Sequence, residues 1–130
     1  MGMVYMFNGK ETITIADLTH DRLTDTDRVT STVLHGCSWF ETDGTTGQDT
    51  KSNARDIKVR IPDCAGYIKP EDFNGTTGWT LKKGDKIILG EFSVTSATDF
   101  GSLRGEDVMT VREVHDNRNK PLPHIYVRGD

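Results

Sequence analysis

Hydrophobic and polar positions alternate along the chain in short runs that are separated by turn residues, a pattern typical of β-strands. The highest apolar density lies in residues 78–91, GWTLKKGDKIILGE. Trp79 and Leu81 alternate with polar neighbours, residues 83–85 are typical of a turn with Gly84 at positive φ, and residues 87–89 form a continuous apolar run. Such a run fits a strand that is covered on both faces. We expect a central β-hairpin here, with the remaining strands packed around it.

The first 27 residues predict a hairpin followed by a loop. Asn8-Gly9 separates two apolar-alternating runs at residues 3–7 and 10–16, and this dipeptide between such runs is a strong hairpin signal. Residues 17–27, DLTHDRLTDTD, are polar and rich in turn formers. We therefore expect the chain to leave the first hairpin through a loop at residues 17–27.

Residues 28–41 form the longest strand candidate, because Thr, Val and Trp favour the extended state. A regular strand would place Val29, Val33, Cys37 and Trp39 on one face, with His35 between them. Thr30, Thr32, Leu34 and Phe40 would lie on the other face. Gly36 inside this run indicates a bulge or a bend.

Three further strands and two helical turns complete the prediction. Residues 55–61 alternate with Ile57, Val59 and Ile61 inward, residues 107–115 form a strand whose mixed phase indicates a bulge, and residues 124–128 close the chain. Residues 70–73 are typical of one helical turn that begins with proline. Residues 96–103 favour a short helix capped by Ser96, which we interpret as a connection between strands and, less readily, as an interaction element.

The fold class that follows is all-β, a small antiparallel β-barrel or sandwich with long polar loops and at most one short helix. The 130 residues suit one domain, residues 1–130, and the 13 glycines with an apolar fraction of 34% indicate many turns. We expect the core to contain Val4, Ile13, Ile15, Val29, Val33, Trp39, Ile57, Val59, Ile61, Trp79, Leu81, Ile87, Leu89, Val111 and Val127.

The longest connection, residues 42–54, has no apolar residue before its last alanine. A loop of this length in a compact domain is usually functional or disordered. We interpret it as an interaction loop, carried by Gly44, Gly47, Gln48, Asp49, Lys51, Ser52 and Asn53.

Charge and cysteine content narrow the class of protein. The formal net charge is −4 and no Lys/Arg-rich run occurs, so electrostatics do not favour a duplex-binding protein. The two cysteines form no CxxC pair, and we expect reduced thiols in a cytosolic setting. The chain shows no signal-peptide pattern and no apolar run of membrane-spanning length. We expect it to be made in the cytoplasm and kept there, or assembled there into something larger.

Motifs for chemistry are weak. His35 and Cys37, with Cys64 or His20, match no zinc spacing. Neither cysteine has a histidine placed to activate it, and no G-x-S-x-G occurs. We expect no enzymatic activity, no cofactor and no metal, with carboxylate pairs of the glycosidase type left open.

An oligonucleotide-binding barrel would need aromatic residues interleaved with basic ones. The basic residues cluster only at Arg55, Lys58 and Arg60, where Asp56 dilutes their charge, and the aromatic residues are scattered. This pattern favours a solvated strand face over a binding site for single strands.

The order of these pieces resembles that of a known family. A Thr/Val strand ends in residues 35–39, HGCSW, a polar loop leads to a strand ending in Ile61-Pro62, and residues 78–85, GWTLKKGD, follow. A Val-rich strand, residues 116–118 and a terminal HIYV at residues 124–127 complete the succession. Over residues 29–128 it resembles small head–tail connector or minor capsid proteins of tailed phages and prophages of Gram-positive bacteria.

The resemblance implies a head-completion or head-closure role in the virion, for a chain assembled in the bacterial cytoplasm. Such proteins are small β-barrels that form a ring below the portal and adaptor, prevent packaged DNA from leaking and offer a docking surface to the tail. It implies a homo-oligomeric ring with portal, adaptor and tail proteins as partners, DNA passing nearby without specific binding, and no membrane. No site residue carries over, because the resemblance is structural.

Three alternatives remain open. The nearest is a tail-terminator or tail-completion protein, followed by a cytoplasmic OB-like binding module and by a small hydrolase. Exposed aromatic residues beside residues 55–60 would favour the module, and a pocket with converging His and Asp would favour the hydrolase. Self-complementary sides would favour the ring.

Overall fold

Six antiparallel strands form a closed β-barrel in the computed structural model, which describes residues 9–42 and 55–130. The strand order around the barrel is β1-β2-β3-β6-β5-β4. The elements are β1 (Glu11–Asp21), β2 (Thr26–Thr42), β3 (Asp56–Ile61), a 3₁₀ turn (Pro70–Asp72), β4 (Lys86–Leu89), α1 (Ala97–Ser102), β5 (Val108–Asp116) and β6 (Ile125–Gly129). The predicted all-β class with one short helix is therefore confirmed.

Two three-stranded meanders, β1-β2-β3 and β4-β5-β6, build the barrel and meet along two seams. Ile15 lies opposite Ile87 where β1 pairs with β4, and Val59 lies opposite Val127 where β3 pairs with β6. Because side chains alternate along each strand, these residues all point into the barrel. Closure of the sheet gives every strand a partner on both sides over part of its length.

The barrel interior is one apolar core. It contains Ile13, Ile15, Leu34, Cys37, Ile57, Val59, Ile61, Tyr67, Trp79, Leu81, Ile87, Met109, Val111, Ile125 and Val127. Ten predicted core residues are buried in it, and Trp39 and Leu89 pack partly buried against it. Val4 lies outside the described residues.

A second, smaller apolar cluster covers the outer surface of the barrel. It contains Ala16, Ile88, Val94 and Phe100, with Leu18, Val29, Leu103 and Val108 packed against it. Ile87 points into the barrel and Ile88 into this cluster, which explains the continuous apolar run and confirms that β4 is covered on both faces. Ser96 caps α1 as predicted, with its Oγ accepting a hydrogen bond from the Asp99 amide at 3.0 Å.

Gly36 changes the face pattern of β2. Leu34 lies opposite Ile13 and Cys37 opposite Glu11, so β2 has two residues where β1 has one, a β-bulge with Gly36 at φ +73°. Leu34 and Cys37 consequently both point into the barrel. Cys37 and Trp39 share the inner face as predicted, but the prediction that Val29 and Val33 lie on that face with them is wrong, although the bulge itself is confirmed. Val29 lies in the outer cluster, and Val33 is only partly buried.

The predicted central hairpin is half correct. Its second arm is β4, and Gly84 takes φ +97° in the turn, but residues 78–82 form no strand and Trp79 makes a single parallel bridge to Tyr67. The partners of β4 are β1 and β5. The side chain of Asp85 accepts a hydrogen bond from the Lys82 amide at 3.0 Å, and this tight turn directs the preceding residues away from β4.

The predicted loop at residues 17–27 is wrong, because β1 continues to Asp21 and β2 begins at Thr26. The turn between them places Asp25 at φ +55°. Between Ile13 and Ala16 both edges of β1 are occupied, by β2 and β4, whereas the predicted first hairpin also involves residues 3–7. Residues 3–7 themselves lie outside the described residues.

Candidate functional site

The predicted interaction loop lies outside the described residues, but its two flanks are described. Gly44, Gly47, Gln48, Asp49, Lys51, Ser52 and Asn53 all belong to residues 43–54. On the flanks, the Arg55 guanidinium forms a bidentate ion pair with Glu41, with Nε and Nη2 at 2.6 and 2.9 Å from the carboxylate oxygens. This hydrogen bonding lowers the pKa of Glu41 from its ordinary value. The ion pair therefore holds the two ends of the loop side by side.

A projecting hairpin, which we call the hairpin tip and define as residues 20–27, extends beyond the barrel. The ladder between β1 and β2 continues from Asp17 opposite Thr30 to Asp21 opposite Thr26, although β4 pairs with β1 only as far as Ala16. Leu23 is 98% exposed at its end. A lone leucine in a polar run was the sequence signal for this surface, and our sequence reasoning missed it.

Local contacts brace the hairpin tip. The Leu23 amide donates to Asp21 Oδ1 at 2.9 Å. The two ring nitrogens of His20 contact Asp25 and Asp27 at 3.2 and 2.9 Å. Leu23 is thus exposed to solvent on an ordered turn. The hairpin tip can therefore contact a partner without a disorder-to-order transition.

A cleft of about 330 Å³ lies between the hairpin and residues 73–75. Arg28 bridges it, with Nη1 donating to the Asn74 carbonyl oxygen at 2.7 Å. His20 lines this cleft, but both of its ring nitrogens contact carboxylates, and the Thr19 hydroxyl donates to Asp17 at 2.8 Å. Among the described lining residues no Ser or Cys contacts a histidine, and the Thr19 hydroxyl shares the Asp17 carboxylate with Lys82 Nζ.

A buried polar cluster closes the edge of β1 where β4 ends. Lys82 Nζ lies 2.6 Å from Asp17 Oδ1 and 3.0 Å from Asp85 Oδ1, and both carboxylates are 1% exposed. Asp85 accepts from the Leu18 amide at 3.3 Å, and Lys82 Nζ donates to the Leu18 carbonyl. Side chains thus satisfy backbone groups that a longer β4 would have bonded.

Two carboxyl groups in one buried cluster titrate unequally. Burial and the neighbouring Asp17 raise the pKa of Asp85 to about 8. Burial acts to raise the pKa of Asp17 too, but its hydrogen bonds with Asp85 and Lys82 lower it overall. The arrangement fits a protonated Asp85 beside an ionised Asp17, stabilised by the Lys82 ammonium.

The outer surface of β2, β3 and β6 carries what we call the basic face, defined as Phe40, Lys58, Arg60, Tyr126 and Arg128. Cross-strand register places Phe40, Lys58 and Arg128 in one row and Arg60 and Tyr126 in the next. Phe40 is 57% exposed. The Arg60 guanidinium lies 4.8 Å from the Tyr126 ring centroid, within the range of a cation–π interaction.

Charge on the basic face is only partly compensated. Arg128 pairs with Asp56 at 3.3 Å. Within residues 9–42 and 55–130, Lys58 and Arg60 have no ion-pair partner. An exposed aromatic ring beside two uncompensated cations can bind a partner that is both anionic and apolar. The sequence showed Lys58 and Arg60, but not the register that brings Phe40 and Tyr126 beside them.

The residues considered for a metal site do not converge. His35 is exposed and contacts Thr12 Oγ1 at 3.0 Å, whereas Cys37 lies inside the barrel, so their predicted common face is wrong. Burial raises the pKa of the Cys37 thiol to about 12. In the described part of the chain no group of three or more His, Cys, Asp or Glu residues is arranged to hold a metal ion.

No helix within the described ranges is long and apolar enough to cross a membrane. A family model matches residues 7–130 of the chain. No curated protein and no solved structure matches the chain. The chain therefore belongs to DUF6751, a family of unknown function.

Proposed function

We propose that the protein is a virion structural subunit of a tailed phage, a head-completion protein that forms a homo-oligomeric ring between the portal or adaptor and the tail. The observation that carries the proposal is the braced hairpin tip, which holds Leu23 98% exposed beyond a closed barrel. The resemblance of residues 29–128 to head–tail connector proteins supports the same role. The chain would act in the virion after assembly in the bacterial cytoplasm.

A ring subunit needs a rigid body with two different contact surfaces. The barrel supplies the rigid body, since its strands pair around a closed circuit. A contact between two different surfaces of neighbouring copies forms a ring when the rotation between copies closes. The hairpin tip and the basic face are two such surfaces on one chain.

The interaction loop would serve the ring by reaching a neighbouring subunit or the DNA channel. The bidentate ion pair between Glu41 and Arg55 anchors its ends. Deletion of residues 48–53 should leave the free energy of unfolding nearly unchanged, because the flanking strands keep their contacts. We expect particles carrying the deletion to lose packaged DNA or to fail to join tails. Normal infectious particles would contradict this role for the loop.

The direct test of the ring is a mass measurement by light scattering, on the protein alone and mixed with isolated portal–adaptor complexes. Addition of several copies to each complex would support head completion. A stable monomer that ignores the complexes would overturn it. Addition of copies to the ends of purified tails, but not to portal–adaptor complexes, would assign the protein to tail termination instead.

A second candidate function, an OB-like nucleic-acid-binding module, is favoured by one observation. Phe40 is exposed beside Lys58, and neither Lys58 nor Arg60 has an ion-pair partner among the described residues. Aromatic and basic side chains on one sheet face are typical of single-strand binding. Fluorescence anisotropy with a labelled single-stranded oligonucleotide tests this second function. Binding that persists in about 0.15 M salt would support it, because electrostatic binding that rests on few phosphate contacts is lost at that salt concentration.

A further inference from the structure

Two exposed surfaces of this chain are complementary, and they lie far apart on it. The hairpin tip ends at the β1–β2 turn, whereas the basic face begins after the bulge at Gly36. Thr26 and Phe40 are separated by roughly 45 Å along β2 at the usual rise of a strand. The tip therefore cannot reach the basic face of its own copy.

We propose that the hairpin tip of one copy docks on the basic face of the next copy. The inference rests on the proposed ring function and identifies the interface that would build the ring. Its occupant is a second copy of this chain, and the contact is heterologous, so each copy uses its tip once and its face once.

Apolar and charged groups match across this contact. Leu23 is 98% exposed and Phe40 57% exposed, so docking of a partner on either would bury apolar surface. Asp25 and Asp27 have side chains 93% and 47% exposed, and they would lie opposite Lys58 and Arg60. An aromatic anchor with charged groups around it is the usual composition of an interface hot spot.

The basic face suits an acidic protein surface better than a nucleic acid. The chain carries a net charge of −4, which opposes the approach of polyphosphate. Asp56 pairs with Arg128 at the basic face, and Glu113 lies opposite Arg128 on β5, so an extended phosphate backbone would meet carboxylates there. Lys58 and Arg60, which have no ion-pair partner in the part of the chain that the structure describes, suffice for the short acidic tip.

The test uses full-length variants in which one half of the interface is disabled. The tip variant combines Leu23→Ser with Asp25→Ser, and the face variant combines Lys58→Glu with Arg60→Glu. The control variant, Lys69→Glu with Lys120→Glu, makes the same charge change at exposed lysines elsewhere. Thermal unfolding of each variant checks that the barrel remains folded.

Sedimentation velocity and light scattering measure assembly, with and without portal–adaptor complexes. We expect the tip and face variants each to associate roughly tenfold or more weakly than the wild type, and the control to assemble normally. An equimolar mixture of tip and face variants should stop at dimers, because it contains only one intact pair of surfaces. This restriction to dimers is a result that general destabilisation would not produce.

Failure of the interface and failure of the ring give different results. Rings from the wild type and from both variants would overturn the interface while leaving the ring function standing. No self-association of the wild type, even on portal–adaptor complexes, would overturn both. Binding of a single-stranded oligonucleotide that the face variant loses and the tip variant keeps would assign the basic face to nucleic acid and overturn the interface.

Discussion

At the scale of single residues, Gly36 has the largest effect on the architecture. Its φ of +73° is unfavourable for residues with a Cβ atom, and no atom lies within 4 Å of the position a Cβ would take. The requirement for glycine is therefore conformational and not steric. The bulge that it permits points both Leu34 and Cys37 into the barrel.

Substitution of Gly36 tests this conformational requirement. We expect Gly36→Ala to lower the free energy of unfolding by about 1–2 kcal/mol, because alanine is strained in the left-handed region. Gly36→Asn should cost less, since asparagine tolerates that region. The matched control is Gly101→Ala within α1, where space is open and φ is not positive, which should stabilise the protein by up to about 1 kcal/mol. Urea unfolding measures all three variants, and equal effects at both glycines would contradict the explanation.

The buried carboxyl of Asp85 gives a prediction for pH dependence. Its pKa is raised from 3.8 to about 8 in the folded protein, so between these values the folded state holds a proton that the unfolded state has released. Stability from this group is therefore fully present at low pH and is lost as the pH rises to about 8. The side chain at position 85 cannot ionise in Asp85→Asn. The unfolding free energy of the wild type should therefore fall steadily relative to that of the variant from pH 5 to 8. A difference that stays constant over this range, measured by urea unfolding, would contradict the raised pKa.

At the scale of elements, the sequence predicted best those strands that have one face inside and one outside. β3 and β6 alternate along their whole length because their inner residues are 0% exposed and their outer ones meet water. The second half of β1 was missed for the opposite reason. Its first residue, Asp17, is buried but polar, and at the hairpin tip the side chains are at least partly exposed, so no apolar alternation marks the strand.

The candidate surfaces were less predictable than the strands, because they depend on register between strands distant in sequence. Lys58 and Phe40 are 18 positions apart and become neighbours only through the β2–β3 ladder. Arg60 reaches Tyr126 through the β3–β6 ladder. Periodicity shows which face a residue occupies, but it does not show which residues of other strands share that face.

The short helix α1 depends on a side chain from β4. Lys86 Nζ donates to the carbonyl oxygens of Phe100 and Leu103 at 2.9 and 3.0 Å and lies 4.8 Å from the Phe100 ring centroid. Lys86→Met keeps the aliphatic stem but removes both hydrogen bonds, and we expect a loss of about 1–2 kcal/mol. Hydrogen exchange should show faster exchange of the α1 amides, with Lys83→Met as an exposed control. Unchanged protection of α1 would contradict the role of Lys86.

At the scale of the whole molecule, the two apolar clusters need not open together. The inner core joins all six strands, whereas the outer cluster joins α1 and its flanking segments to β1 and β4, with Val29 of β2 and Val108 of β5 packed against it. Opening the outer cluster breaks no strand pairing within the barrel. Regions with few buried contacts open at lower free energy than the global transition. The segment around α1 should therefore separate from the barrel while the barrel stays closed.

Native-state hydrogen exchange with two truncations tests this hierarchy. Phe100→Ala removes a side chain that is 8% exposed in the outer cluster, and Ile57→Ala removes one that is 0% exposed in the inner core. Each is expected to cost about 2–5 kcal/mol where its own cluster opens. Phe100→Ala should lower the opening free energy of the α1 amides far more than that of the β3 amides. Ile57→Ala should lower that of the β3 amides and leave local opening of α1 nearly unchanged. An equal fall at both sets of amides in either variant would show that the clusters open as a single cooperative unit, because every amide would then exchange through one global event.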